Sequence, residues 1–379
     1  MKKSDKTVRY GKRRYLNRKI GAAAFWLLYA FSVCGVSVLC AETPEVRREE
    51  PKKEYTAAAG DALTTADSER PHDEEPKTEI TAVGEEASAP TASVENAEMP
   101  TFTGYSTVTL EQNRQSTILS LEEYVVGALL AEMPSAFCTE ALKAQAVACR
   151  TYAVYQIRHA RRHESTAALC DRAAHCQAYV NPDTVGKERY EAAKNAADET
   201  RGLILCNDGE PILAVYHASS GAKTRSSAEV WGGERPYLVS VSSGESENPT
   251  LAASCVRVCE VTREAFAATL RTLCPSLAAY TDGELLENIA LERTESGRVS
   301  TLNIVGSVID GAAFARAFSL RTNDFTVASG DSVVITTYGY GHGVGLSQLG
   351  AEDMAQKGAD FQAILLHYYP NTVFGRIVG

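Results

Sequence analysis

The chain has 379 residues, enough for one large or two medium domains, and its 44% hydrophobic and 23% charged residues are ordinary proportions for a globular protein. A formal net charge of −10 gives no ground for a nucleic-acid partner. Composition alone does not identify an activity, and the distribution along the chain is more informative. Residues 1–19 carry nine Lys or Arg against one Asp, and residues 20–41 form an uncharged, mostly apolar run of 22, long enough to cross a hydrocarbon layer of ~30 Å. Positive charge ahead of that run predicts a single-pass anchor with the N-terminus in the cytoplasm and the remainder outside. A cleaved signal peptide ending near Cys40 is the alternative, and it exports the remainder too. Residues 42–103 read as a disordered acidic linker: from Glu42 to Pro100 there are 16 acidic and six basic residues and few aromatics. Such a tether lets a domain search tens of ångströms from a membrane.

The folded part begins near residue 104 with a Thr-rich and Val-rich prelude that predicts a strand or two. Ser120 and Glu123 form a capping box, so a helix is predicted from Leu121, with Val125, Ala128 and Leu129 on one apolar stripe. Pro134 stops it near Glu132 and leaves that carboxylate at a helix end. A second helix, from about Glu140 with Thr139 as its cap, sets Lys143, Val147 and Arg150 at i, i+4 and i+7. One acid and two cations are thus expected at a single corner. The plain reading of Glu132 is a helix-end carboxylate paired with Lys143.

His163, Cys170, His175 and Cys176 follow, a set whose thiolates and imidazoles suit tetrahedral zinc, with a Cys170–Cys176 disulfide as the other reading. A helix is predicted over 190–200, then two strands, LILCND and PILAVYHAS, around the Asp208–Gly209 turn. The second delivers Tyr216, His217, Ser219, Ser220 and Gly221 into a loop. Trp231 and Tyr237 offer flat faces, although core packing is an equal account of Trp231. Residues 242–320 read as a subsidiary lobe with a helix in VTREAFAATLRTL, a strand pattern in GRVSTLNIVGSVI, and Cys255, Cys259 and Cys274 without an assigned pairing. Near the C-terminus, glycines around Tyr340, His342 and Val344 let backbone approach a ligand, and a helix is predicted from about Ser347. No Lys follows these glycines, so the stretch is not a phosphate loop.

Three of these stretches, EYVVGALLAEMP with ALKAQAVACRTY, YHASSGAKTRSSAEVWGGERPYL and GYGHGVGLSQLGAEDMAQKG, resemble the signatures of the stage II sporulation protein D family, lytic transglycosylases of endospore-forming bacteria. The resemblance covers about residues 104–375. It implies an α+β catalytic region over 104–379, mixed helices and antiparallel sheet, with the subsidiary lobe at about 242–320 and a cleft between. It implies peptidoglycan glycan strands as substrate, with Glu132 as the catalytic residue. Lys143 and Arg150 are expected to hold substrate groups, Arg150 being partly structural. Tyr216, Ser219, Ser220, Trp231, Tyr340 and His342 are expected along the glycan groove.

Glycosidic cleavage generally takes two carboxylates, yet Glu122, Glu123 and Glu140 read better as helix-end charges. One acid suffices when the sugar's own C6 hydroxyl closes on C1 to give a 1,6-anhydro end. Burial would raise the Glu132 pKa, while Lys143 and Arg150 beside it would lower it. Some clostridial members of the family hold zinc through Cys and His at the 163–176 segment, so the resemblance implies a structural zinc on His163, Cys170, His175 and Cys176, and the chemistry itself needs no cofactor. It also implies stage II sporulation proteins P (an amidase) and M as partners, and action at the sporulation septum from the mother-cell membrane during engulfment. The rival readings are a non-catalytic wall binder or amidase enhancer and, more distantly, a zinc hydrolase.

Overall fold

The computed structural model describes residues 99–159, 163, 167–173 and 175–379. The basic tail, the apolar run at 20–41 and most of the acidic linker lie outside the described residues. Among those described, no helix is long and apolar enough to cross a membrane. The fold is mixed α+β and divides into two compact units.

The larger unit holds the described residues up to His217, then Arg225–Val241 and Val344–Gly379. Its first helix, α1 (Leu121–Glu132), starts as the sequence predicts: the Glu123 N–H donates to Ser120 Oγ at 3.2 Å and the Ser120 N–H to Glu123 Oε2 at 2.9 Å. It ends where Met133 turns extended (φ −125°, ψ 144°) ahead of Pro134. The apolar face is not one stripe. Tyr124 to Leu130 are all buried, because α1 is enclosed on several sides, by α2 (Thr139–His159) and α3 (Lys187–Glu199) among others.

The start of α2 also differs from expectation. Thr139 is its first residue rather than its cap, the Leu142 N–H reaches the Cys138 carbonyl at 3.1 Å, and the free Cys138 N–H donates to Glu352 Oε2 at 2.7 Å. A carboxylate from a distant helix thus supplies the anion that a helix start favours. From Ala141 to Val154 nearly every residue of α2 is buried, and α1, α3 and the helices Gln348–Gln356 and Phe361–Tyr368 pack around it.

The prelude is a hairpin, Thr107–Gln112 with Gln115–Ser120, turning on Asn113 and Arg114 at φ 51° and 65°. The predicted 211–219 strand is broken. Glu210–Pro211 pairs back on Leu203–Asn207, then the Ala214 and Val215 N–H groups turn to carbonyls two residues back. Tyr216–His217 consequently pairs elsewhere, in parallel with Leu346–Ser347. The C-terminal strand Val373–Ile377 closes a sheet between Thr101–Phe102 and Leu203–Asn207.

The smaller unit comprises Ala218–Thr224 and Ser242–Gly343. Two three-stranded antiparallel sheets, 289–310 and 256–261 with 325–338, enclose Phe266, Leu270, Phe314, Phe325 and Ile335. Its buried Arg298 bonds Asp324 Oδ2 at 3.0 Å and the Ser220 carbonyl at 2.8 Å and so fixes the 218–224 segment to the sheet. Cys255, Cys259 and Cys274 form no disulfide among the described residues.

Candidate active site

The last turn of α1 presents Glu132. What meets it there is decided five residues earlier, at Gly127. A Cβ on Gly127 would lie 2.1 Å from the Tyr179 ring, so only glycine lets residues 177–180 cross α1 this closely. The crossing is held by the Val180 N–H on the Gly127 carbonyl at 3.1 Å and by Tyr179 stacked on Tyr124. It brings the Ala178 N–H to Glu132 Oε1 at 2.9 Å.

Gln177, also buried, links two tyrosines: it accepts from the Tyr124 hydroxyl at 2.9 Å and donates to the Tyr216 hydroxyl at 3.0 Å. The Tyr216 hydroxyl stands at the Glu132 carboxyl, where it favours the charged form. Gly345 allows the pairing that sets Tyr216 in place, since a Cβ there would meet the Val215 carbonyl at 2.1 Å. The same strand runs into Gln348, first residue of the helix capped by Ser347. Gln348 stands at the Glu132 carboxyl as well. Its Nε2 is buried and meets no acceptor at full hydrogen-bond geometry among the described residues.

Burial dominates at Glu132 and raises its pKa above the ordinary carboxylate range, against the smaller lowering by Ala178, Tyr216 and Gln348. The same enclosure pushes the Cys149 thiol up to about 12 and the Tyr216 phenol well above its usual value. The expected convergence of cations on Glu132 does not occur. Lys143 pairs with Glu140 at 2.8 Å and Glu199 at 2.6 Å, which together raise its pKa. Arg150 is fully buried, donating to Glu122 Oε1 and Oε2 at 3.0 and 2.6 Å and to the Ala197 and Leu203 carbonyls. Both cations hold helices together, and neither counteracts burial at Glu132.

The four predicted metal ligands are brought together. His163 Nε2, Cys170 Sγ, His175 Nδ1 and Cys176 Sγ have ligand atoms all within 4.8 Å of one another, and neither cysteine is in a disulfide. Individual contacts run from 3.3 to 3.5 Å. These separations and this soft donor set fit one tetrahedral zinc with four protein ligands. Cys176 adjoins Gln177 and lies two residues from Ala178, so an ion on the cluster would anchor the segment that leads to Glu132.

Other expected groove residues are placed differently. Ser219 and Ser220 are buried in the smaller unit, where Glu245 Oε1 accepts from the Ser220 N–H at 2.8 Å. Tyr237 is also buried, its hydroxyl taking bonds from the Leu213 N–H and Arg235. Trp231 is partly buried at the end of the helix Ser227–Trp231 and packs on the core of the larger unit. In the smaller unit Tyr340 is exposed and His342 partly so. Sequence reasoning passed over Ala178 and Gln348. Gln348 carried a signal, as the residue closing GHGVGLSQ; a backbone N–H carries none.

The SpoIID family model, described as stage II sporulation protein, matches residues 111–206. The chain is 30% identical to stage II sporulation protein D of Bacillus subtilis (strain 168) over 270 residues, which span 69% of this chain and 76% of that protein. It is 32% identical to the protein of the same name from Bacillus amyloliquefaciens over 262 residues, 66% of this chain and 73% of that one. It is also 26% identical over 299 residues to the amidase enhancer of Bacillus subtilis (strain 168), 65% of this chain and 39% of that one.

Proposed function

The chain belongs to the stage II sporulation protein D family, and from that premise we propose that it is a lytic transglycosylase cutting peptidoglycan glycan strands stripped of stem peptides. The observation that carries the proposal is Glu132: a helix-end carboxyl whose pKa burial raises, with donors arranged for its charged form. Among the described residues, the groups acting on it are Ala178, Tyr216 and Gln348, none a second carboxylate.

In the first step Glu132 gives its proton to the leaving glycosidic oxygen as the C1–O bond breaks. The new carboxylate is held by the Ala178 N–H and by Tyr216, with Gln348 beside them. In the second step it takes the proton of the C6 hydroxyl while O6 bonds to C1, closing a 1,6-anhydro ring. No water is consumed, and Glu132 ends protonated as it began. Zinc on His163, Cys170, His175 and Cys176 would have no open position and would be structural, stiffening the backbone that leads to Ala178. Membrane tethering through residues 20–41, and supply of bare strands by an amidase such as stage II sporulation protein P alongside protein M, belong to the same proposal.

Full-chain protein incubated with denuded strands tests it. Glu132→Gln should bind strands and lose cleavage by ~10⁴-fold or more, as one residue serves both proton transfers. The likeness to an amidase enhancer favours one other reading, a non-catalytic wall binder, and undiminished activity in a co-incubated amidase assay with Glu132→Gln would favour it.

A further inference from the structure

Tyr340 has a fixed backbone and a free face. The Ser219 N–H donates to its carbonyl at 3.1 Å and its own N–H to the Ser219 carbonyl at 2.7 Å, yet the residue is 52% exposed. The Arg321 guanidinium lies 5.0 Å from the centroid of its ring. Arg257 stands on the strand Val256–Val261, paired with Val333–Tyr338 in a register that sets Arg257 opposite Thr337 and Val256 opposite Tyr338. The Gly339 N–H on the Cys255 carbonyl at 2.7 Å continues that pairing to the threshold of Tyr340.

Arg321 is partly buried, and burial together with the charge of Arg257 holds its pKa below the usual guanidinium range. Arg293 and Arg298 of the same unit share Asp324. Neither Arg257 nor Arg321 has a carboxylate or carbonyl partner for its guanidinium among the described residues. A guanidinium drawn partly out of water, with a like charge acting on it and no counter-ion among the described residues, is unfavourable unless an anion comes to it. Guanidinium forks match a carboxylate in shape, and a rigid aromatic ring covered on one face by arginine leaves the other for an apolar sugar face.

We propose that Arg257, Arg321 and Tyr340 bind a carboxylate borne on a sugar, the lactyl carboxylate of a muramoyl residue. That group is a free anion only after the amide joining it to the stem peptide has been cut; in an intact strand the same atoms are a neutral amide. The cluster is therefore a reader of peptide removal. This rests on the reading of the chain as acting on stripped strands.

The test is calorimetric binding at low ionic strength with the full chain carrying Glu132→Gln. The probes are denuded strands and the same strands with their lactyl carboxylates converted to methylamides. Denuded strands should bind about tenfold more tightly, the scale of one charge-assisted pair. Adding Arg321→Gln should abolish the preference, and Arg257→Gln, at an exposed position that spares the fold, should reduce it. Equal affinity for both strands, a preference that survives Arg321→Gln, or one that Arg257→Gln leaves undiminished, overturns the proposal. Because binding is read without turnover, a chain that prefers carboxylated strands while wild type leaves them uncut would overturn the transglycosylase reading alone.

Discussion

The Ala178 N–H donates to Glu132 Oε1 at 2.9 Å, so the carboxyl whose pKa burial raises already has a donor waiting for its charged form. Burial is the larger effect, and the folded chain holds this proton to higher pH than the unfolded chain does. Between the two pKa values the native state binds more protons, and stability falls as pH rises. Glu132→Gln should therefore unfold at a higher temperature than wild type at pH 7, the difference vanishing below about pH 4. Thermal scans at both pH values check this. A Gln variant less stable at pH 7 would show that the charged carboxylate is the favoured form.

Gln348 lowers the Glu132 pKa, and removing it should raise that pKa further. In Gln348→Leu the alkaline limb of the pH–rate profile, where the general acid loses its proton, should move to higher pH. The maximal rate should fall on the order of 10²-fold, as for loss of one preorganised donor. An unmoved limb would leave Gln348 as a packing residue.

Much of this was legible from local chemistry. The Ser120–Glu123 box and Pro134 delimit α1 to the residue, and the Cys and His spacing at 163–176 marks a cluster that the fold brings together. What was not legible depends on partners far away in sequence. Lys143 and Arg150 share a helix face pattern with no hint that Glu199 and Glu122 engage them. Glu352 replaces Thr139 at the start of α2 across 214 residues. Ser219 and Ser220 read as exposed loop groups until Glu245 and Arg298 enclose them. Gly127 looks like a weak spot in a helix, whereas it is the place where Tyr179 crosses.

Arg150→Met strands the Glu122 carboxylate in a largely buried setting, with a loss of roughly 3–5 kcal/mol expected in chemical denaturation. Adding Glu122→Leu should recover a large part of it. A stable Arg150→Met that fails to bind glycan would instead make Arg150 a ligand contact.

Metal analysis of protein purified under reducing conditions should find one zinc per chain, lost in Cys170→Ala with Cys176→Ala. The double variant should melt at a lower temperature. Where it is still folded it should cleave slowly with its alkaline limb moved upward, because the 175–178 backbone no longer holds Ala178 as firmly to Glu132. A chelator that stopped turnover while leaving stability unchanged would point to a catalytic metal.

The central claim is that Glu132 acts alone and without water. Mass spectrometry of wild-type products from denuded strands measures this directly. Each new end should be ~18 Da lighter than a hydrolysis end, because the C6 hydroxyl supplies the nucleophile, and Glu132→Gln should give no such ends. Ends of full hydrolytic mass, carrying reducing sugars, would contradict the account and require a second carboxylate or a metal-bound water.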